Sequence, residues 1–344
     1  MTTVTLDPAN AANVGDALLA HLRERLGSEL LAFAEAPAPL GRGFASFIYA
    51  FRLDGQGLPD TWRAPLVLRV LPDAAAGPVL AREESVQRFV GAGGYPVLVP
   101  LAFDVTGAAL GLPFMLVPRA MGGTMLERVV HNPLSAPRLL AQMGDVHVAL
   151  HRVAIDGCPL TYDAPLVDQR IANWRARMEV AGTGELRRGL AWLEEHAVRV
   201  RDEDPAICHN DFHPLNLLVD DDGRLIVIDW SDAAIGDRHA DVARTVTLLW
   251  FAQIAATSIV ERLVLRAVRG FMRRRYLAAY QRHLPVDPVR LRYWEAVSAF
   301  NAWLQLVELE ARGANAPQAQ LEMVQRLPDG VLDQVRRYFW SCAT

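Results

Sequence analysis

The stretch ICHNDFHPLNLLVDDDGRLIVIDWSD, residues 207–232, concentrates chemistry that the rest of the chain lacks. His209, Asn210, Asp211, His213 and Asn216 crowd one loop bounded by apolar runs. The DDG turn at 221–223 and the run Leu225 to Ile228 predict a hairpin that ends in Asp229. A loop clamped between buried strands holds polar groups more accurately than a surface tail does. The pattern suits phosphoryl transfer, which needs a carboxylate to orient an attacking hydroxyl and hard oxygen ligands for Mg2+. Asp211 can be that base. Asn216, five residues on across Pro214, and Asp229 at the neighbouring strand end can hold the metal. His209, two residues before the base, is placed to brace the loop by hydrogen bonding.

Moving outward, the N-terminal side predicts a small sheet. Val14, Leu18, Leu19, Leu22, Leu26 and Leu30 repeat at helical spacing and predict an amphipathic helix over Asn13 to Leu31. Pro37 and Pro39 read as breaks. Phe47, Tyr49 and Phe51 share one strand face; Asp54 to Gly57 is a turn, and 64–71 is a second strand. A helix over Val79 to Val90 follows, then strands at 101–105 and 114–117. Beyond a linker at 118–123, helices dominate: 137–151, 168–180, 185–198, 237–250, 252–282, 288–310 and the last stretch 317–340. The expected domains are therefore 1–117, a smaller α+β portion with its leading helix; 118–123, a linker; and 124–344, a larger helical portion carrying the polar loop. The fold class is α+β.

Composition removes several alternatives. With 344 residues, 51% apolar and 22% charged, the chain is neither disordered nor low in complexity. A net charge of -4 gives no reason to expect nucleic acid as a partner. Cys158, Cys208 and Cys342 have no metal-ligand spacing and fit a reducing compartment, so a cytoplasmic location is expected. The run from Thr245 to Val260 is too short for a bilayer and reads as a buried helix, so no membrane span is expected. All 35 basic residues are arginine.

HNDFHPLN, followed by VIDW and IGDRHADVAR, resembles the catalytic core of the aminoglycoside phosphotransferase-like family within the protein-kinase-like superfamily. The resemblance implies a bilobal protein-kinase-like fold, with a small antiparallel β-sheet N-terminal lobe (1–117) that binds the nucleotide and a larger, mainly helical C-terminal lobe (124–344) with the catalytic loop and acceptor site. It also implies an enzyme that moves the γ-phosphate of ATP or GTP, with Mg2+, to a hydroxyl of a small molecule. His209, Asp211 and Asn216 match the catalytic loop, and Asp229 the magnesium aspartate. Asp237 and Asp241 match the acidic pair that buttresses the loop. Gly41, Gly43 and Ser46 occupy the nucleotide-loop position, Arg69 the strand lysine, Glu83 the helix glutamate, and Val117 and Arg119 the interlobe linker.

Three positions depart from the family pattern. Arg69 keeps the charge of the usual lysine on a larger planar fork. The nucleotide loop carries Phe44 and Phe47 and few glycines, and Ser231 stands where many relatives have a second acid. Glu83 and Glu84 are adjacent, so only one can face Arg69. A metallohydrolase built on His209, Asp211 and His213 leaves Asn216 and the downstream acids without a task. A catalytically silent nucleotide-binding scaffold is the other rival, and it leaves the base and metal ligands without one. His147 and His151 lie four apart on a helix without a metalloprotease glutamate, and read as packing residues. Trp294, Phe300 and Trp303 read as core, with room for one or two at the acceptor pocket. Residues 240–344 hold 14 Arg against nine acids, which points to a neutral or anionic acceptor. A monomer or homodimer is expected.

Overall fold

Asn10 starts the first helix by accepting the N–H groups of Ala12 and Asn13, so α1 runs Ala11–Leu26. Gly27, at φ 63, ends it in a left-handed cap. The helix therefore stops before the Leu31 end that apolar spacing suggested. The computed structural model describes residues 7–43, 46–162, 164–181, 184–201, 204–251, 259–313 and 330–343. The chain separates into two units, Met1–Gly123 with Leu218–Ser231, and Thr124–Leu217 with Asp232–Thr344.

In the first unit follow β1 (Ala32–Gly43), β2 (Ser46–Asp54), the single turn α2 (Asp60–Arg63), β3 (Leu66–Val70), α3 (Gly77–Ala92), β4 (Ala102–Asp104) and β5 (Phe114–Pro118). They form an antiparallel sheet in the order β1-β2-β3-β5-β4. Pro37 and Pro39, expected as breaks, lie within β1. That strand is at the sheet edge and its register shifts around both prolines, which is where a residue without an N–H is tolerated. Val14, Leu18 and Leu22 of α1 pack on Tyr49, Phe51, Leu68 and Phe114 to make the core. The chain leaves this unit at β6 (Gly123–Thr124).

The second unit holds α4 (Met125–His131), α5 (Ala136–His151), α6 (Leu166–Ala181), α7 (Gly184–His196) and β7 (Pro205–Cys208). Then β8 (Leu217–Val219) and β9 (Leu225–Val227) make the expected hairpin, closed by the Asp220 N–H on Arg224 O at 3.0 Å. Residues 218–231 group with the first unit, whereas sequence order suggested the second. Their anchor is visible: the Val227 N–H donates to Pro96 O at 2.8 Å, and Tyr95 packs edge-on to Trp230. Next, β10 (Ala234–Asp237), a strand not foreseen, pairs antiparallel with β7. The helices α8 (Arg238–Phe251), α9 (Ile259–Gln281), α10 (Pro288–Arg312) and α11 (Val331–Cys342) complete the chain. Phe44 and Ala45, together with 252–258 of the helix expected over 252–282 and 317–329 of the one expected over 317–340, lie outside the described residues. No described helix is long and apolar enough to cross a membrane.

Candidate active site

In the second unit, β7 delivers the chain into the loop 209–216, and Asp241 of α8 holds the loop's start. The N–H groups of His209 and Asn210 donate to Asp241 Oδ2 and Oδ1 at 2.6 and 2.9 Å. His147 and His151 of α5 set their Nε2 atoms against the same Oδ2, at 3.0 and 3.2 Å. Their Nδ1 atoms meet the hydroxyls of Tyr276 and Tyr280 at 2.6 and 2.7 Å. This trio has the compactness of a metal site. Every ring nitrogen already has a protein partner, however, so it is a brace. Burial would raise the Asp241 pKa, but the two histidines outweigh it and hold the carboxyl well below its usual range. Burial, aided by the charge of His147, pushes His151 down to about 4.

Asp211 sits on top of that brace. The Asn216 Nδ2 donates to its Oδ2 and its main-chain oxygen, both at 2.9 Å. His213 Nδ1 accepts the Leu215 N–H at 3.3 Å, which places the proton of a neutral ring on Nε2, 3.2 Å from Asp211 Oδ2. The Oδ1 atom is left with Arg244 NH2 at 3.8 Å. Burial favours the neutral acid, but the His213 hydrogen bond and the charges of His213, Arg244 and His209 prevail. Asp211 is therefore held below its ordinary pKa, ionised and with one oxygen available. His209 is buried, and its Nδ1 accepts the Asp211 N–H at 3.3 Å.

Asp237, the other buttressing acid, is buried. It caps α8 through the His239 N–H at 2.9 Å and ties down α10 through Trp294 Nε1 and Arg290 NH2, at 2.8 and 2.6 Å. Trp294, Phe300 and Trp303 are buried as expected.

In the first unit, Arg69 of β3 grips Glu83 of α3, NH1 lying 2.7 and 2.8 Å from the two carboxylate oxygens. Glu84 turns to Arg88 instead. The Arg69 Nε donates to Ser46 Oγ at 3.4 Å. Burial raises the Glu83 pKa, Arg69 opposes this, and the charge of Asp229 adds to it. The Trp230 N–H donates to Glu83 Oε1 at 3.3 Å, so the residue after Asp229 is anchored on the same pair. Ser231 Oγ donates to Asp229 Oδ1 at 2.8 Å, and Oδ2 accepts no hydrogen bond among the described residues. Gly41 and Gly43 lie at the end of β1, where Gly43 pairs with Ser46. Val117 pairs with Val67, and the Arg119 N–H donates to Pro65 O at 2.8 Å.

Among the described residues, two that are not glycine have positive φ, Asn210 and Asp229, both at 62°. Such strain collects at functional sites, and here it falls beside the candidate base and on the candidate metal ligand. The oxygen donors also suit a hard cation: the carboxamide Nδ2 of Asn216 is spent on Asp211, while its Oδ1 accepts no hydrogen bond among the described residues.

Sequence reading missed a second group in the helical unit. Arg170, Trp174 and Arg177 of α6, Arg244 of α8 and Trp294 of α10 line a cavity of about 280 Å³ that also reaches Asn210 and Asp232. The spacing of the three α6 residues, four and three apart on one helix face, was the available signal.

Solved structures share this fold at low identity. A Ralstonia eutropha protein provisionally named an aminoglycoside phosphotransferase is 19% identical, with TM-score 0.64, covering 95% of this chain and 97% of its own. A thermostable mutant of aminoglycoside phosphotransferase APH(4)-Ia, in ternary complex with ADP and hygromycin B, is 20% identical with TM-score 0.63, covering 94% and 98%. An amicoumacin kinase in complex with AMP-PNP, Ca2+ and Ami is 14% identical with TM-score 0.57, covering 88% and 87%. The sequence profile of the phosphotransferase enzyme family matches residues 38–294, well over half of the chain. With the kinase-like fold and that match together, the chain belongs to the phosphotransferase enzyme family, the aminoglycoside phosphotransferase-like small-molecule kinases.

Proposed function

We propose that this protein transfers the γ-phosphate of ATP or GTP to a hydroxyl of a small molecule, with Asp211 as the base. The observation that carries the reading is the state of Asp211: ionised, fixed through Oδ2 by Asn216 and His213, and with Oδ1 open to an incoming hydroxyl. Asn216 and Asp229 would supply oxygen ligands to Mg2+, which neutralises charge developing on the transferred phosphoryl group. Arg69 spends NH1 on Glu83 and Nε on Ser46, and so keeps NH2 for a nucleotide phosphate. Gly41, Gly43 and Ser46 would border the nucleotide on one side, Val117 and Arg119 on another. His209 holds the loop and takes no part in proton transfer.

The hydrolase alternative loses ground on the same contacts. His209 Nδ1 accepts the Asp211 N–H, and both His213 nitrogens face loop partners, which leaves no imidazole pair open to a metal. The test is a mass-spectrometric screen of hydroxylated metabolites and antibiotics for phosphate gained from Mg·ATP or Mg·GTP. Transfer should occur, and Asp229→Ala should weaken Mg2+-dependent nucleotide binding more than about 100-fold, past the range for residues that only support a ligand. Nucleotide binding without transfer to any compound would favour the silent scaffold. Unchanged affinity in Asp229→Ala would remove Asp229 from the metal site.

A further inference from the structure

The 280 Å³ cavity beside the candidate base has walls that suit one class of ligand. Three guanidinium groups line it, and their partners differ. Arg177 is matched by Glu308, which accepts from its Nε and NH2 at 2.8 and 2.7 Å. Arg244 reaches Asp211 only at 3.8 Å, the limit of an ion pair. Arg170, half-buried on α6, makes no hydrogen bond or ion pair among the described residues. Asp232 is the carboxylate nearest to it electrically. Burial lowers the Arg170 pKa, the charge of Arg244 lowers it further, and Asp232 opposes both. Trp174 and Trp294 supply apolar wall, which excludes water and strengthens any charge–charge contact made inside.

We propose that this cavity takes a small hydroxylated oxyanion, a carboxylate or a phosphate monoester, gripped by Arg170 and Arg244 with its hydroxyl toward Asp211. A planar guanidinium binds either oxyanion through two parallel N–H···O bonds, which fixes orientation as well as charge. The hydroxyl then falls to Asp211 because Arg244 already lies against that carboxylate. A polycationic aminoglycoside would meet like charge on these walls. The source of positive charge also differs from the one that bulk counting suggests. In the run 273–275, Arg274 and Arg275 are exposed and Arg273 pairs with Glu295 at 2.7 Å, so none of the three belongs to this cavity.

The proposal rests on the phosphotransferase reading for the role of the hydroxyl, so binding and transfer are measured separately. Isothermal titration uses four arms: hydroxycarboxylates such as glycolate, malate and gluconate; phosphate esters such as glycerol 3-phosphate; the primary amides of the same acids; and amino alcohols. At least one oxyanion should bind at least about tenfold more tightly than its neutral counterpart, with the first two arms showing whether the anion is carboxylate or phosphate. Arg170→Gln should weaken that oxyanion at least about tenfold with thermal unfolding unchanged, and Arg170→Lys should restore part of the loss. The proposal falls if amides or amino alcohols bind as tightly as every anion, if no anion binds, or if Arg170→Gln leaves anion affinity intact. Transfer from Mg·ATP to amides or amino alcohols alone would keep the kinase and remove the anion pocket. Arg170-dependent anion binding with neither nucleotide binding nor transfer would do the reverse.

Discussion

Two aspartates of the helical unit, 30 residues apart in sequence, are both held ionised, but by opposite means. Asp241 has no exposed side-chain surface, and both its oxygens are committed to the loop N–H groups and two histidines. Asp211 keeps 28% of its side chain exposed, and only Oδ2 is committed to hydrogen bonds. The first carboxylate is spent on shape, whereas the second, the proposed base, keeps one oxygen uncommitted. A base needs a fixed position and an unused lone pair, and one residue cannot supply both the anchoring and the vacancy.

The sharpest break of this comparison is to remove each charge in turn. Asp211→Asn should lower kcat by about 1,000-fold, within the range for loss of a general base, while nucleotide affinity and stability stay near normal. Asp241→Ala leaves two buried histidines and two loop N–H groups without their acceptor. It should cost at least about 3 kcal/mol in urea unfolding, since each buried donor left without an acceptor costs about 1–3 kcal/mol. A catalytic loss in Asp211→Asn matched by an equal stability loss would erase the distinction.

A smaller effect follows from pH. An unfolded histidine takes its proton near 6.5 but His151 in the folded protein only near 4, so the unfolded state binds more protons between those values. Stability should therefore fall by about 3 kcal/mol as pH drops from 6.5 to 4, at about 1.4 kcal/mol per unit. Urea midpoints across that window check it, and His151→Phe should flatten the slope. The smallest expected change concerns His213, whose hydrogen bond and charge help to lower the Asp211 pKa. His213→Phe should move the acid limb of kcat/KM upward, by about one unit or less. A limb that stays put would assign His213 to loop packing alone.

The loop chemistry was legible because it is local. His209, Asp211 and Asn216 are fixed by their spacing along eight residues, and the Asp220 to Gly223 turn announces its own hairpin. What escaped reading depended on partners distant in sequence. The prolines of β1 look like breaks until β2 is seen beside them, and β10 is too short to show alternation before it meets β7. Leu30 continued an apolar repeat, but Gly27 had already ended the helix, and Leu30 is exposed. The spacing of Arg170, Trp174 and Arg177 shows one face of α6 but not the cavity, whose other walls come from residues 210–305.

Gly122 carries no reactive group, yet it sets how near the hairpin bearing Asp229 can come to the strand before it. Its φ of 123° is one that side chains rarely adopt, and a methyl added there would lie 2.0 Å from Val219 O. The bare α-carbon acts as a spacer of minimum thickness between the chain at 122 and the main chain of Val219. Tolerance to mutation along this chain is thus governed partly by a residue with no side chain, and a map of damaging variants would mark 122 as intolerant of any larger residue.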